Sequence, residues 1–282
     1  MAVTMKQLSD LISTEYKSYG LKTKIINTTI IHPLIKLSTI QEDMLNEGDG
    51  QSYNQYLQIN SSTGLAVNYY KLLEEQENIK QLVFEDKVAR PLNKGGKCAN
   101  IDVSFIRDNK LYFVESKFLE PYYSGNETIN DSYLNSNRYP KEVPDCDKPT
   151  WEKLFRWTKN FKFYNVTQLS RHLLAIYRFT QGHSDSYYSG QQVILQSVMW
   201  KMTDRFLSLF DNSTKTELER RIVTIEEEKN ICYQYINEFI EKINWQNMVF
   251  ESHYYNDILS DIKKSDFYDE FCKRYFFPMN KS

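Results

Sequence analysis

The sequence predicts an α/β chain of the α+β type, a mixed β-sheet flanked by helices. Three observations lead there. Residues 100–118 hold two strand-like runs around a two-residue turn at Asp108–Asn109. Stretches of helical periodicity stand on both sides of them. The coarse order is helix, strand, hairpin, helices and then mixed strand and helix, with no internal repeat.

The first helix starts at Thr4, a capping residue, and runs through Met5, Leu8, Leu11, Ile12 and Tyr16 to a stop at Gly20. The stretch from there to Gly50 has no clear assignment. Ser61 or Ser62 opens a second helix through Leu65, Val67, Tyr69, Tyr70, Leu72 and Leu73 to Glu77. Leu82–Ala89 reads as a strand closed by Arg90–Pro91, and the turn Lys94-Gly95-Gly96-Lys97 leads into the hairpin. From Glu120 to Thr150 the chain is rich in Pro, Asn, Asp, Ser and Tyr, long for a connection in a compact domain, and such loops are usually functional. Helical patterning resumes over Trp151–Tyr164 and Thr167–Phe179. Gln191–Phe210 starts as a strand and turns helical, Glu217–Ile243 is a helix, Trp245–Phe250 is extended, and Asp266–Tyr275 closes the chain as a helix.

A chain of 282 residues is long enough to bury a substantial core. Its net charge of −2 argues weakly against a nucleic-acid partner, but the distribution does not. Between Lys148 and Arg178 seven basic residues face the single acid Glu152, while Glu226, Glu227 and Glu228 stand together near the end. That fits a localised phosphate-binding surface or ordinary solvated helix faces. Cys98, Cys146, Cys232 and Cys272 lack zinc-site spacing, so reduced thiols and a cytoplasmic location are expected. No leader-like or membrane-spanning run is expected.

The chemistry lies in the hairpin. A two-residue turn pairs 107 with 110, and the same register places Asp102 opposite Glu115 with Lys117 on the same face. Opposed carboxylates among apolar neighbours repel and call for a compensating charge. Mg²⁺ suits one or two carboxylates, keeps waters and phosphate oxygens, and would polarise a scissile phosphate. Lys117 would orient the attacking water, stabilise the growing charge or, with a lowered pKa, act as a base. A bulge in the turn would undo the opposition. The plain alternative is an ordinary Glu–Lys pair beside a solvent-facing Asp.

Asp102 followed by Glu115-Ser116-Lys117 resembles the core signature of the PD-(D/E)XK nuclease superfamily, and within it a restriction-endonuclease-like bacterial group. Ser61-Ser62-Thr63-Gly64-Leu65-Ala66-Val67-Asn68-Tyr69-Tyr70 and Gln168-Leu169-Ser170-Arg171-His172-Leu173-Leu174 resemble two of that group's helices. The resemblance covers roughly residues 52–275. It implies a restriction-endonuclease-like core in residues 51–282, with 1–50 as an N-terminal helical extension. It also implies an Mg²⁺-dependent endonuclease (Mn²⁺ as substitute), with Asp102 and Glu115 as metal ligands and Lys117 assisting the attacking water. The substrate would be nucleic acid, most of all DNA, in a restriction or defence role, without a membrane partner. Double-strand cleavage by one site per chain suggests a homodimer. Asn100-Ile101 stands where the superfamily's name places a Pro, and position 116, facing away, is expected to vary freely.

Supporting residues follow from spacing. Glu74, Glu75 or Glu77 at the end of the second helix, or Glu85 on the strand, could add a third carboxylate; three acids ending a helix also make a solvated face. Gln168 and Arg171, three apart, share a helix face and are expected to contact nucleic acid, and His172 could join them or be structural. His32, His183 and His253 have no metal-type spacing. The aromatics Trp151, Phe155, Trp157, Phe161, Phe163 and Tyr164, interleaved with Lys153, Arg156, Lys159 and Lys162, fit either a core or a stacking surface. The Tyr122–Tyr139 segment, with Arg138, could border a substrate groove. A non-catalytic nucleic-acid-binding or interaction protein on the same fold remains the competing reading.

Overall fold

The computed structural model describes residues 3–19, 24–26, 29–31, 43, 45, 58–76, 79–93, 97–182, 191–264 and 266–276. Gly20, Gly50, Glu77, His32, His183 and residues 94–96 of the glycine turn lie outside them.

The first helix, α1 (Met5–Ser18), starts where the sequence says. Thr4 and Gln7 form a reciprocal capping box, and Leu8, Ile12 and Tyr16 are buried. Strands β1 (Lys24–Ile26) and β2 (Thr29–Ile31) pair antiparallel in a small separate sheet. Helix α2 (Ser62–Gln76) follows, and the Ser61 hydroxyl accepts the Gly64 N–H at 2.9 Å, satisfying one orphan donor of its first turn.

The main sheet has five strands in the order β3 (Lys80–Lys87), β4 (Asn100–Arg107), β5 (Lys110–Lys117), β6 (Gln192–Met199) and β7 (Met248–Tyr254). Its first two junctions are antiparallel and its last two parallel, so the sheet is mixed as expected. Asp108 and Asn109 have φ of 51° and 59°. Left-handed conformation at both central residues is what a two-residue type I′ turn requires, and Asn and Asp tolerate it better than most residues. The register runs bulge-free from Arg107↔Lys110 to Val103↔Val114.

Period-two alternation then divides the hairpin between two layers. One face carries Ile101, Val103, Phe105, Val114 and Ser116 against α2, where Tyr70 packs on Phe105 at 5.4 Å. The other carries Asp102, Phe113, Glu115 and Lys117 toward α5 (Val166–Gly182), whose Phe179 meets Phe113 edge-on at 6.1 Å. Helix α5 lies in the crossover between the parallel strands β5 and β6.

The chain from 120 to 150 is ordered by short turns: α3 (Glu120–Tyr123) and 3₁₀ turns at Asp131–Leu134 and Ser136–Arg138. Helix α4 (Lys148–Trp157) starts earlier and ends sooner than its periodicity suggested, passing through a 3₁₀ turn at Thr158–Asn160. Its aromatics are core. Trp151, Phe155, Phe161 and Tyr164 are buried, and Trp157 stacks on Tyr235 at 3.8 Å. A stacking surface for bases is therefore not what they build.

After β6 comes α6 (Asp204–Leu207), capped by Thr203, and then the long α7 (Asn212–Lys242) over β7. Strand β7 begins later and runs further than the extended stretch read from the sequence. Asn244, at φ 54°, and the Trp245 N–H bonded to the Ile240 carbonyl first turn the chain off the helix. Helix α8 (Tyr255–Ile258) and helix α9 (Asp266–Tyr275) return the chain to α2, where Asn68 donates to the Tyr275 hydroxyl at 2.7 Å. Arg205 of α6 holds Glu15 of α1 at 2.8 Å, so α1 packs onto the same body.

Candidate active site

The hairpin register brings its acids to one place. The Ser116 N–H donates to the Asp102 carboxylate at 2.6 Å, just past the last paired residues of β4 and β5. Glu115 is 2% exposed and holds two partners, the Lys117 ammonium on one oxygen and the His172 Nε2, at 2.7 Å, on the other. Burial would raise the Glu115 carboxyl, but the charges and hydrogen bonds of Lys117 and His172 outweigh it and lower the pKa to about 2. Asp102 goes the other way. Burial and the Glu115 charge raise it well above the usual carboxylate range, and Lys117 and the Ser116 N–H only partly offset them. Lys117 is opposed by burial but raised in net by Glu115, Asp102 and Glu120. Without a metal it stays an ammonium, so the lowered pKa that a base would need is absent here.

Among the described candidates for a third carboxylate, Glu85 on β3 is the one that feels the charge of the hairpin acids. Glu74 is engaged by Lys71 on its own helix, and Glu75 is exposed. Glu85 is 7% exposed, accepts from Thr63 at 3.2 Å and from Asn100, and is raised by burial and by the Glu115 charge. Its φ of 53° is uncommon for a non-glycine residue, and such strain tends to persist where surrounding structure holds a side chain for a purpose.

Position 116 is not open to solvent, as free variation would require. Ser116 is fully buried on the α2 face, with its hydroxyl 2.8 Å from the Tyr255 hydroxyl and 3.4 Å from the Ser62 carbonyl. Pointing away from the carboxylates means pointing into the opposite core.

Helix α5 supplies the rest. His172, left open from the sequence as a partner of Gln168 and Arg171 or a structural residue, sits on Glu115, four residues along α5 from Gln168. Gln168, Arg171 and His172 all line a cleft of about 470 Å³ beside the carboxylates, together with Asn100, Tyr133 and Arg138. Asn165 donates to the Gln168 side-chain oxygen at 2.8 Å, and Arg171 pairs with Glu127 at 2.7 Å. The Tyr122–Tyr139 segment thus borders the cleft through Asn130, Ser132, Tyr133 and Arg138. Glu228, visible in the sequence only as part of an acidic run, sets the approach to α5. Its carboxylate accepts the N–H groups of Lys162, Phe163 and Tyr164 at 2.7, 2.9 and 2.8 Å.

Among the described residues, no group of three or more His, Cys, Asp or Glu side chains is arranged to hold a metal. Mg²⁺ does not need one, since one or two carboxylates with retained waters suffice. The donor chemistry fits a hard divalent cation. Asp102, Glu115 and Glu85 are oxygen donors that raise or feel one another's charge, with Lys117 as the neighbouring cation. Glu115 nevertheless already uses both oxygens, so an ion would share it with Lys117 and His172.

Compared with known families, residues 14–276 match the family described as restriction endonuclease associating with ARP. The chain belongs to that family. It is therefore restriction-endonuclease-like, and its mixed five-stranded sheet with flanking helices is consistent with such a fold. No curated protein and no solved structure matches the chain. No helix among the described residues is long and apolar enough to cross a membrane, and the cysteines are free.

Proposed function

We propose that this chain is a metal-dependent endonuclease that hydrolyses phosphodiester bonds, DNA above all, in a restriction or defence role. One observation carries the reading: at one end of the hairpin, Asp102 on β4 accepts the Ser116 N–H while Glu115 on β5 holds the Lys117 ammonium, which gathers two carboxylates and a cation. Asp102 and Glu115 are the residues that would hold Mg²⁺, or Mn²⁺ in its place. When bound, such an ion polarises the scissile phosphate and acidifies a water.

The protein groups do the positioning. Lys117, held as a cation, orients the attacking water and faces the negative charge that develops on the phosphate. His172 fixes the Glu115 carboxylate from the α5 side. Arg171 exchanges Glu127 for a phosphate oxygen, and Gln168 borders the same cleft. Cutting both strands with one centre per chain calls for two chains on the DNA, which sedimentation with and without duplex would reveal.

Incubation with plasmid DNA and Mg²⁺ or Mn²⁺ tests the proposal, wild type against Glu115→Ala. Cleavage by the wild type alone is the expected result. Equal cleavage by a folded Glu115→Ala variant ends the assignment.

The full engagement of Glu115 favours a second reading, a nucleic-acid-binding protein that no longer cuts. Calorimetric titration with Mn²⁺ separates the two. Retained DNA binding with no metal uptake selects the non-catalytic form.

A further inference from the structure

We propose that the cleft beside Glu115 seats one unpaired nucleotide, so that the chain engages single-stranded or locally opened nucleic acid in preference to an intact duplex; the substrate class rests on the nucleic-acid reading above.

Size speaks first. About 470 Å³ falls within the roughly 300–1,000 Å³ of pockets that enclose one small ligand. Bases in a duplex show only their edges in the grooves, so one enters such a cleft only after leaving the stack.

The walls carry the groups that a nucleotide needs. Lys97, Arg138 and Arg171 supply cationic side chains for a phosphate, and Pro91, Leu92 and the Tyr133 ring offer apolar and aromatic surface for a base. Glu127, a surface carboxylate, holds Arg171 where a phosphate oxygen would bind. Arg138 donates to Ser132 at 2.9 Å, which fixes it along the rim.

Two buried polar atoms at the cleft lack a partner. Asn100 spends its amide N–H on Glu85 and leaves its oxygen unpaired. His172, 4% exposed, spends Nε2 on Glu115 and leaves Nδ1 unpaired. Two unpaired polar atoms on residues that line the cleft suit the polar edge of a base, since buried polar groups are otherwise almost always paired. His172 also ties the two places together, lining the cleft with its ring while holding Glu115. The cleft meets the carboxylates through those two residues, His172 on Glu115 and Asn100 on Glu85.

The test is fluorescence anisotropy on the full chain in EDTA, so that binding is read without cleavage. The probes are a fluorescein-labelled oligothymidylate, the same strand annealed to its complement, and free dTMP as competitor. The single strand is expected to bind about tenfold tighter than the matched duplex, the scale of one base–aromatic stack. Tyr133→Ala and Arg138→Ala should weaken the single strand by about tenfold and leave the duplex nearly unchanged. Glu127→Gln should tighten it by releasing Arg171. Should these variants misfold, wild-type Cys98 gives a second readout. It is free and lines the cleft, so oligothymidylate should slow its alkylation while leaving the exposed Cys146 unaffected.

Equal affinity for duplex and single strand, or Cys98 reactivity unmoved by the oligonucleotide, overturns the proposal. Competition by dTMP at the oligonucleotide's own concentration overturns the assignment to a strand and gives the cleft to a free nucleotide. Absence of cleavage in Mg²⁺ with the single-strand preference intact removes the catalytic reading alone. Cleavage of matched duplex with no single-strand preference removes the cleft assignment alone.

Discussion

Two regions of this protein bury acidic side chains, and they do so in opposite ways. At the foot of α5, Glu228 meets three backbone N–H groups at 2.7–2.9 Å. Those donors are fixed in the chain and would be orphans without it, so the acid is a structural clamp. At the hairpin, Glu85, Asp102 and Glu115 raise or feel one another's charge, and Lys117 and the His172 ring are the neighbouring groups that offset it. That region is held together at some cost in stability, which is common where a site is kept for chemistry. Satisfied donors mark the scaffold, and unbalanced charge marks the candidate site.

The sharpest way to break this contrast is to remove one acid from each region. Asp102→Ala should reduce cleavage of plasmid DNA below detection while the circular dichroism spectrum stays unchanged. Lys117→Ala should lose about a hundredfold or more in single-turnover rate, the scale of removing one preorganised charge partner. Glu228→Ala should instead lower stability by roughly 3 kcal/mol, about 1 kcal/mol for each N–H left buried and unpaired, as read by urea melts. A Glu228→Ala variant that melts like the wild type would end the distinction.

Smaller and opposite pH effects follow from the two hairpin acids, measured in metal-free buffer. Asp102 has a raised pKa in the fold, so its stabilising contribution is complete below its unfolded value near ~3.9 and is lost as pH rises through the folded pKa. Asp102→Asn should therefore melt higher than wild type at neutral pH. Glu115 is lowered to about 2, so its contribution is present above its unfolded value and fades as pH falls toward that point. Glu115→Gln should melt lower than wild type at neutral pH, with the gap closing between about 4.3 and 2. The smallest change is expected on the far face of the same strand, where Ser116→Val should cost ~1–3 kcal/mol by crowding Tyr255 and Ser62 without touching metal affinity.

What the sequence determined by itself was local. Asp and Asn adopt the left-handed conformation of a two-residue turn, and period-two alternation does the rest, so the register that brings Asp102 toward Glu115 and Lys117 was legible from a few residues. The cap at Thr4 and the helix after Ser61 were legible for the same reason. Tertiary structure decided what lies far along the chain. Spacing offered Glu85 only as one candidate acid among several, and its place beside the hairpin acids comes from the packing of β3 on β4, where Asn100 donates to it. His172 reaches Glu115 from 57 residues away, and Glu228 reaches Tyr164 from 64, through packing of whole helices on the sheet. Ser116 is pinned because both faces of the sheet are covered, which a single strand's pattern does not reveal. Turn geometry and side-chain alternation act between neighbours; charge balance and burial depend on everything the fold folds over them.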